Sequence, residues 1–252
     1  MQQPGQPLPR PTVALVTGGS RGIGRATAQR LAEAGATVLI TYSADRAAAE
    51  ATVAQLPGEG HAALPLLLRD SASIAAVAGT IGARFGRLDI LVNNGGATTP
   101  VPAADLDGLT DALFDEVLTT NLRGPFAVVR AVRHLLEVPP GAVIINVSSI
   151  AARTGIGSNL AYCAAKAGLD ALTIGLAKAL APKVRVLAVA PAGVDTGFVK
   201  GRSPEDFAAL AQRTPLAKTT TPDDVARAIM ACITHLTSST GIVLPVDEGR
   251  HL

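Results

Sequence analysis

The run Thr12–Thr17 (TVALVT) passes without a break into Thr17-Gly18-Gly19-Ser20-Arg21-Gly22-Ile23-Gly24, and a helical stretch with Ala and Leu on one face follows from Arg25 to Ala34. A short apolar, β-branched run reads as a buried strand. The glycines allow a tight turn and let phosphates approach the backbone. The helix start then offers unpaired N–H groups and the positive end of its dipole to an anion. A glycine-rich turn alone is a weak signal. Set between a strand and a helix, it reads as the start of a dinucleotide-binding domain. The spacing here, Gly18-x-x-x-Gly22-x-Gly24, departs from the more common G-x-G-x-x-G.

Strand-like and helix-like segments alternate along the rest of the chain. Further strands are expected at Thr37–Tyr42, Ala62–Leu68, Asp89–Asn93, Val143–Val147, Val184–Ala190 and Gly241–Val246. Helices are expected at Ala47–Leu56, at Ser71–Phe85 with Ser71 or Asp70 as cap, and at Leu109–Leu136 with a bend at Gly124-Pro125. Others are expected from Asn159 to about Ala181, over the short stretch Ser203–Gln212, and at Pro222–His235 with Thr221 as cap. Such alternation predicts an α/β fold: a single Rossmann-type, doubly wound domain with a parallel sheet and helices on both faces. The domain is expected to span residues 12–252. Residues 1–11 (MQQPGQPLPRP) are expected to form a flexible extension that adds nothing to the core.

Apolar residues make up 48% of the chain, enough for a sizeable core. A net charge of +2 gives no bulk attraction to nucleic acid or to an anionic membrane. No apolar run stands out as a membrane span, and the amino terminus lacks the layout of a signal peptide. A cytoplasmic protein is the expectation. Cys163, Cys232 and the four His residues show no metal-ligand or disulfide spacing, so no metal is expected.

A second stretch carries chemistry. The apolar run Val143–Val147 ends in Ser148-Ser149; Tyr162 follows thirteen residues after Ser149, and Lys166 four after that. On a helix, Tyr162 and Lys166 share one face. A phenol, an ammonium and a hydroxyl so placed suit proton delivery to a carbonyl oxygen. A nearby Lys is expected to lower the Tyr pKa from its ordinary value of about 10. Taken alone, Tyr-x-x-x-Lys is also a common surface pair. At the end of the second strand, where enzymes using NAD place an acid for the ribose, Tyr42 and Ser43 stand instead, with Arg21 and Arg46 nearby. That pattern favours NADP(H) over NAD(H).

With these motifs in order, the chain resembles the short-chain dehydrogenase/reductase family over almost everything after residue 11. The resemblance rests on Thr17–Gly24, Asn93-Asn94-Gly95-Gly96, Asn121, Ser149, Tyr162-x-x-x-Lys166 and Pro191 to Thr196. It implies a seven-stranded sheet in the order 3-2-1-4-5-6-7, a nicotinamide cofactor and a catalytic tetrad of Asn121, Ser149, Tyr162 and Lys166. In that scheme Tyr162 is the acid-base and Ser149 polarises the substrate oxygen. Lys166 holds the ribose, and Asn121 anchors a water. Cofactor contacts are implied at Gly18, Ser20, Arg21, Gly22, Ile23, Gly24, Tyr42, Ser43, Leu68, Asn94, Gly95, Tyr162, Lys166, Pro191, Val194 and Thr196. The chain departs from the family at Gly95, Leu67, Ala192 and Glu248, positions that bear on cofactor affinity rather than on catalytic groups.

The expected activity is reversible reduction of a fairly apolar ketone or aldehyde by NADP(H). The alternatives are a 3-oxoacyl-[acyl-carrier-protein] reductase and a cofactor-binding regulator without turnover. Val138-Pro139-Pro140-Gly141 lacks the cations that such carrier-protein enzymes often place before the fifth strand. Residues 198–214 are expected to form a substrate lid. Ala-rich and apolar faces on the two long helices, with the family resemblance, suggest a homotetramer.

Overall fold

The computed structural model describes residues 8, 9, 11–194, 196–198, 209, 211, 212 and 214–252. Its strands are β1 Val13–Val16, β2 Thr37–Tyr42, β3 Ala62–Pro65, β4 Ile90–Asn93, β5 Ala142–Val147, β6 Val184–Pro191 and β7 Val243–Val246. They form one sheet in the order β3-β2-β1-β4-β5-β6-β7, with every pairing parallel. The helices are α1 Gly22–Glu33, α2 Arg46–Ala54, α3 Ser71–Phe85, α4 Asp111–Leu118, α5 Gly124–Leu136, α6 Ala151–Thr154, α7 Leu160–Leu180 and, next among the described residues, α8 Pro222–Thr234.

β1, β4 and β5 are buried at every position. This is why they read as continuous apolar runs: a parallel sheet is covered on both faces. One core layer joins Ala28 and Leu31 of α1 to Val225 and Ile229 of α8 over Val16, Ile40 and Val92. The other packs Ile81 of α3, Val128 and Leu136 of α5 and Leu180 of α7 against Leu15, Leu91 and Ile144. The chain runs outward from β1 to β3, then restarts at β4 on the other side of β1. The carboxyl ends of β1 and β4 therefore part where the order reverses, the place where open α/β sheets bind ligands.

Several elements differ from the expectation, each for a physical reason. β3 stops at Pro65 rather than reaching Leu68; the Leu66 amide still donates to the Tyr42 carbonyl at 2.8 Å, and the chain then enters a turn closed by the Asp70 amide on the Leu67 carbonyl. The stretch Leu109–Leu136 is α4, a five-residue π-helical turn Thr119–Arg123, then α5. Pro125 follows that wide turn directly, and because the backbone before it is already helical its missing N–H leaves a carbonyl of the turn without its helical donor. The distortion belongs to the wide turn around Asn121. The short helix α6, closed by Gly155 at φ 67°, has no periodicity to announce it. Leu8 contradicts the idea that residues 1–11 stay out of the core. It is buried in the first core layer, and its amide donates to the Ala34 carbonyl at 3.0 Å.

Most of the expected helix Ser203–Gln212 and most of the lid lie outside the described residues. α7 is long and apolar enough to cross a membrane by composition, contrary to the sequence expectation. In this fold, however, its Leu169, Leu176 and Leu180 are core residues.

Buried amides tie the sheet to α7. Asn93 Nδ2 donates to Asn146 Oδ1 at 2.9 Å, and Asn146 Nδ2 donates to Thr173 Oγ1 at 2.8 Å. Asn146→Leu leaves the Asn93 donor unpaired and is expected to cost about 1–3 kcal/mol. Urea unfolding measures this, and an unchanged midpoint contradicts it.

Candidate active site

The glycine turn is held open by side chains from three strands. Thr17 Oγ1 accepts the amides of Asn94 and Gly95 at 3.0 and 2.8 Å. Asn94 Nδ2 donates back to the carbonyls of Thr17 and Gly18, both at 3.0 Å. The Gly18 amide donates to Thr41 Oγ1 at 3.2 Å. Gly18 sits at φ 64°, and a Cβ there would stand 2.9 Å from Gly95 Cα. Only glycine allows that approach. Gly24 packs α1 onto the turn, since its Cβ would lie 2.3 Å from the Gly18 carbonyl oxygen. Arg21, at the N-cap of α1, makes no capping bond, so the first amides of α1 stay available to an anion.

This turn forms one wall of a cleft of about 600 Å³ along the carboxyl ends of the strands. The cleft is lined by Gly18, Ser20, Arg21, Gly22, Ile23, Tyr42, Ser43, Leu68, Asn94, Gly95, Ser149, Tyr162, Lys166, Pro191, Val194 and Thr196. Two expected site residues do not line it. Gly24 is the packing contact just described. Asn121 is buried under Gly96 and Ala97, with Nδ2 donating to the Ala97 and Val117 carbonyls at 2.7 and 2.9 Å. Its Oδ1 is a buried acceptor with no hydrogen-bond partner among the described residues.

Tyr162 and Lys166 reach the cleft from α7, which Asn159 caps by accepting the Tyr162 amide at 2.7 Å. Lys166 Nζ donates to the Val147 carbonyl at 2.7 Å and lies 5.6 Å from the Tyr162 ring centre. On its other side Tyr162 meets Phe198, with ring centres 6.0 Å apart. Loss of solvent pushes the Tyr162 phenol up to about 12; the hydrogen bond with Ser149 opposes this only in part. The expected lowering of Tyr162 by Lys166 is therefore not found. Desolvation outweighs it, and Lys166 spends a proton on Val147. Burial also pulls Lys166 down to about 8, opposed by the carboxylate of Asp170.

The residues present fit a dinucleotide. The uncapped helix start and the glycine cradle suit its pyrophosphate. No acid ends β2: after Tyr42, Ser43 and Ala44 comes Asp45, whose carboxylate accepts the Ala48 amide at 2.9 Å. Arg46 is bonded to Glu50 at 2.7 Å and does not line the cleft, whereas Arg21 does. Arg69, Glu116 and Arg250 also line the cleft and were not singled out in the sequence. Arg69 pairs with Glu116 at 3.2 Å, across elements that no local pattern connects.

Comparison with known proteins agrees with this geometry. A family model described as enoyl-(acyl carrier protein) reductase matches residues 18–251. A granaticin polyketide synthase protein of Streptomyces violaceoruber that carries the name ketoacyl reductase 2 is 39% identical, with 97% of this chain and 98% of the relative covered. The 3-oxoacyl-[acyl-carrier-protein] reductase FabG of Vibrio harveyi is 34% identical over 95% of this chain and 97% of its own. The NADP active-site complex of Pseudomonas aeruginosa RhlG superposes with a TM-score of 0.87 at 31% identity, covering 100% of both chains.

The environment of Tyr162 makes a spectroscopic prediction. Tyr42 and Tyr162 are the two tyrosines of the chain. In a Tyr42→Phe variant, phenolate absorbance is expected to be absent at pH 9, where an ordinary phenol near 10 is already partly ionised. A titration midpoint below 9 contradicts the dominance of burial.

Proposed function

The chain belongs to the short-chain dehydrogenase/reductase family, and from that premise we propose that it reduces a ketone or aldehyde, reversibly, with NADP(H). The observation that carries this reading is the meeting of Ser149, Tyr162 and Lys166 in one cleft with the glycine cradle. A bound nicotinamide supplies or accepts the hydride. The amides of Gly22 and Ile23 would hold its pyrophosphate, while Arg21, Tyr42 and Ser43 would meet the 2′-phosphate. Leu68 would serve the adenine end, and Asn94, Gly95, Pro191, Val194 and Thr196 the nicotinamide end; all of these line the cleft. Tyr162, kept protonated by burial, gives its proton to the substrate oxygen as charge develops there. Ser149 donates a hydrogen bond to the same oxygen. Lys166 would hold the ribose, and Asn121 Oδ1, a buried acceptor without a partner among the described residues, would anchor a water. Ile150, Ile156 and Phe198 give the substrate end an apolar lining, which favours an apolar carbonyl compound; a cytoplasmic setting is a separate part of the proposal.

Reduction of 3-oxoacyl thioesters is the second reading, favoured by the names of the relatives. The cation-free stretch Val138–Gly141 counts against docking of an acidic carrier protein there. NADPH oxidation followed over ketones, aldehydes and an acetoacetyl thioester separates the two. Turnover of simple carbonyls is expected; turnover of the thioester alone favours the second reading, and none at all overturns both.

NADPH is expected to bind roughly ten- to a hundredfold more tightly than NADH, from one charge-assisted Arg21–phosphate contact of about 1.5–3 kcal/mol. Titration of both cofactors checks this. Arg21→Ala should weaken NADPH far more than NADH, and equal affinities in the wild type contradict the assignment. A homotetramer is also part of the proposal. Phe126, Leu160 and Ile174 are exposed on α5 and α7, and Phe126 lines a hollow with Leu118, Leu122 and Leu172. Light scattering at micromolar concentration should give four times the chain mass; a monomer rules it out.

A further inference from the structure

Among its described residues the cleft is lined by four cations, Arg21, Arg69, Lys166 and Arg250. Arg21 stands at the glycine turn, Arg69 pairs with Glu116 at 3.2 Å, and Lys166 donates to the Val147 carbonyl. The reaction as proposed makes no use of Arg250.

The place of Arg250 in the fold decides what it can meet. β3 and β7 are the two edges of the sheet. Arg69 follows β3, on the side of Tyr42, Ser43 and Leu68, where the adenine end of the cofactor is assigned. Arg250 follows β7, at the opposite edge. β7 pairs with β6 as far as Pro191 and Val246, and the Ala192 amide donates to the Val246 carbonyl at 3.3 Å. β5, which delivers Ser149, is two strands away, roughly 10 Å at the usual strand spacing. The acids in the described lining are Asp45 and Glu116. Both belong to the other side: Asp45 follows β2, and Glu116 is bound to Arg69.

The turn that carries Arg250 is built to hold its shape. Asp247 is buried, and its carboxylate accepts the amides of Gly249 at 3.2 Å and His251 at 2.8 Å. His251 Nδ1 lies 2.8 Å from the same carboxylate. The Leu216 amide donates to the Glu248 carbonyl at 3.2 Å. Gly249 sits at φ 82° against Pro215, where a Cβ would stand 2.9 Å from Pro215 Cγ. Backbone fixed on both sides of Arg250 lowers the cost of ordering that residue on a ligand.

We propose that Arg250 is a substrate-binding residue that receives a carboxylate, so that the preferred substrate is an oxo acid with an apolar body and an anionic far end. The proposal rests on the carbonyl-reductase reading above and narrows it. The planar guanidinium offers two parallel N–H donors to a carboxylate. Ile150, Ile156 and Phe198 supply the apolar lining for the carbon chain.

The test uses the full chain with NADPH. Levulinate and its longer methyl-ketone homologues are compared with their methyl esters, which keep the ketone and lose the charge. The wild type is expected to prefer at least one acid over its ester. In Arg250→Met that preference in kcat/KM should fall by roughly ten- to a hundredfold, the worth of one charge-assisted contact, and chiefly through KM. Arg250→Lys keeps the charge without the fork and should lose less. Arg250→Gln serves if Arg250→Met does not fold. A wild type that takes esters as readily as acids at every length overturns the proposal, and so does a preference unmoved in Arg250→Met. A fall in NADPH affinity as large as the fall in preference also overturns it, because the guanidinium then serves the cofactor. Calorimetry with hexanoate and hexanamide, with and without NADPH, keeps the two readings apart. A chain that reduces no carbonyl, yet binds hexanoate more tightly than hexanamide through Arg250, loses the reductase reading and keeps the anion site. Equal binding of the two overturns the site itself.

Discussion

The 2.7 Å hydrogen bond from Lys166 Nζ to the Val147 carbonyl joins the first half of α7 to the end of β5. It can form only because α7 lies close to the sheet. The inner face of α7 is built largely from small residues, Ala161, Ala165, Thr173 and Ala177, with Leu169 between them. Gly168 allows the same closeness on the neighbouring helical layer, where a Cβ would come 2.9 Å from Leu122 Cδ2. Close docking removes water from both Lys166 and Tyr162, which shifts their pKa values in opposite directions. Burial makes the phenol hold its proton more firmly and the ammonium hold its proton less firmly.

The sheet supplies the second constraint. Its order reverses between β1 and β4, and Thr17 and Asn94 lock the two strand ends together through four hydrogen bonds. That lock sets the Gly18 turn against Gly95 and points the start of α1 into the cleft. In the proposed reduction, hydride donor and proton donor would approach one carbonyl from fixed directions, and positioning of this kind is worth several kcal/mol of barrier. The strand ends with their locked turns, and α7 with Tyr162 and Lys166, would supply it.

Much of this was legible in the chain. The Thr17–Gly24 turn, the alternation of β-branched runs with helices, and the Tyr162–Lys166 spacing are local patterns, and local patterns survive in sequence. The π-helical turn around Asn121 was not legible, since nothing in Thr119–Arg123 marks one extra residue per turn. α6 is too short for periodicity, and Leu8 finds its place only through Ala34 and the core. The direction of the Tyr162 shift is hidden in the sequence for a different reason. Spacing shows that a cation is near, but only packing shows that burial outweighs it. Arg69, Glu116 and Arg250 reach the cleft from elements far apart in the chain, which only the folded topology reveals.

The role of Tyr162 as the proton donor is the claim on which the rest turns. Its most direct test compares wild type and Tyr162→Phe for NADPH oxidation with a carbonyl substrate, alongside NADPH binding measured separately. Removing a general acid is expected to lower kcat by about 10²–10⁴-fold, with NADPH affinity changed little. A Phe variant that keeps wild-type kcat contradicts the account.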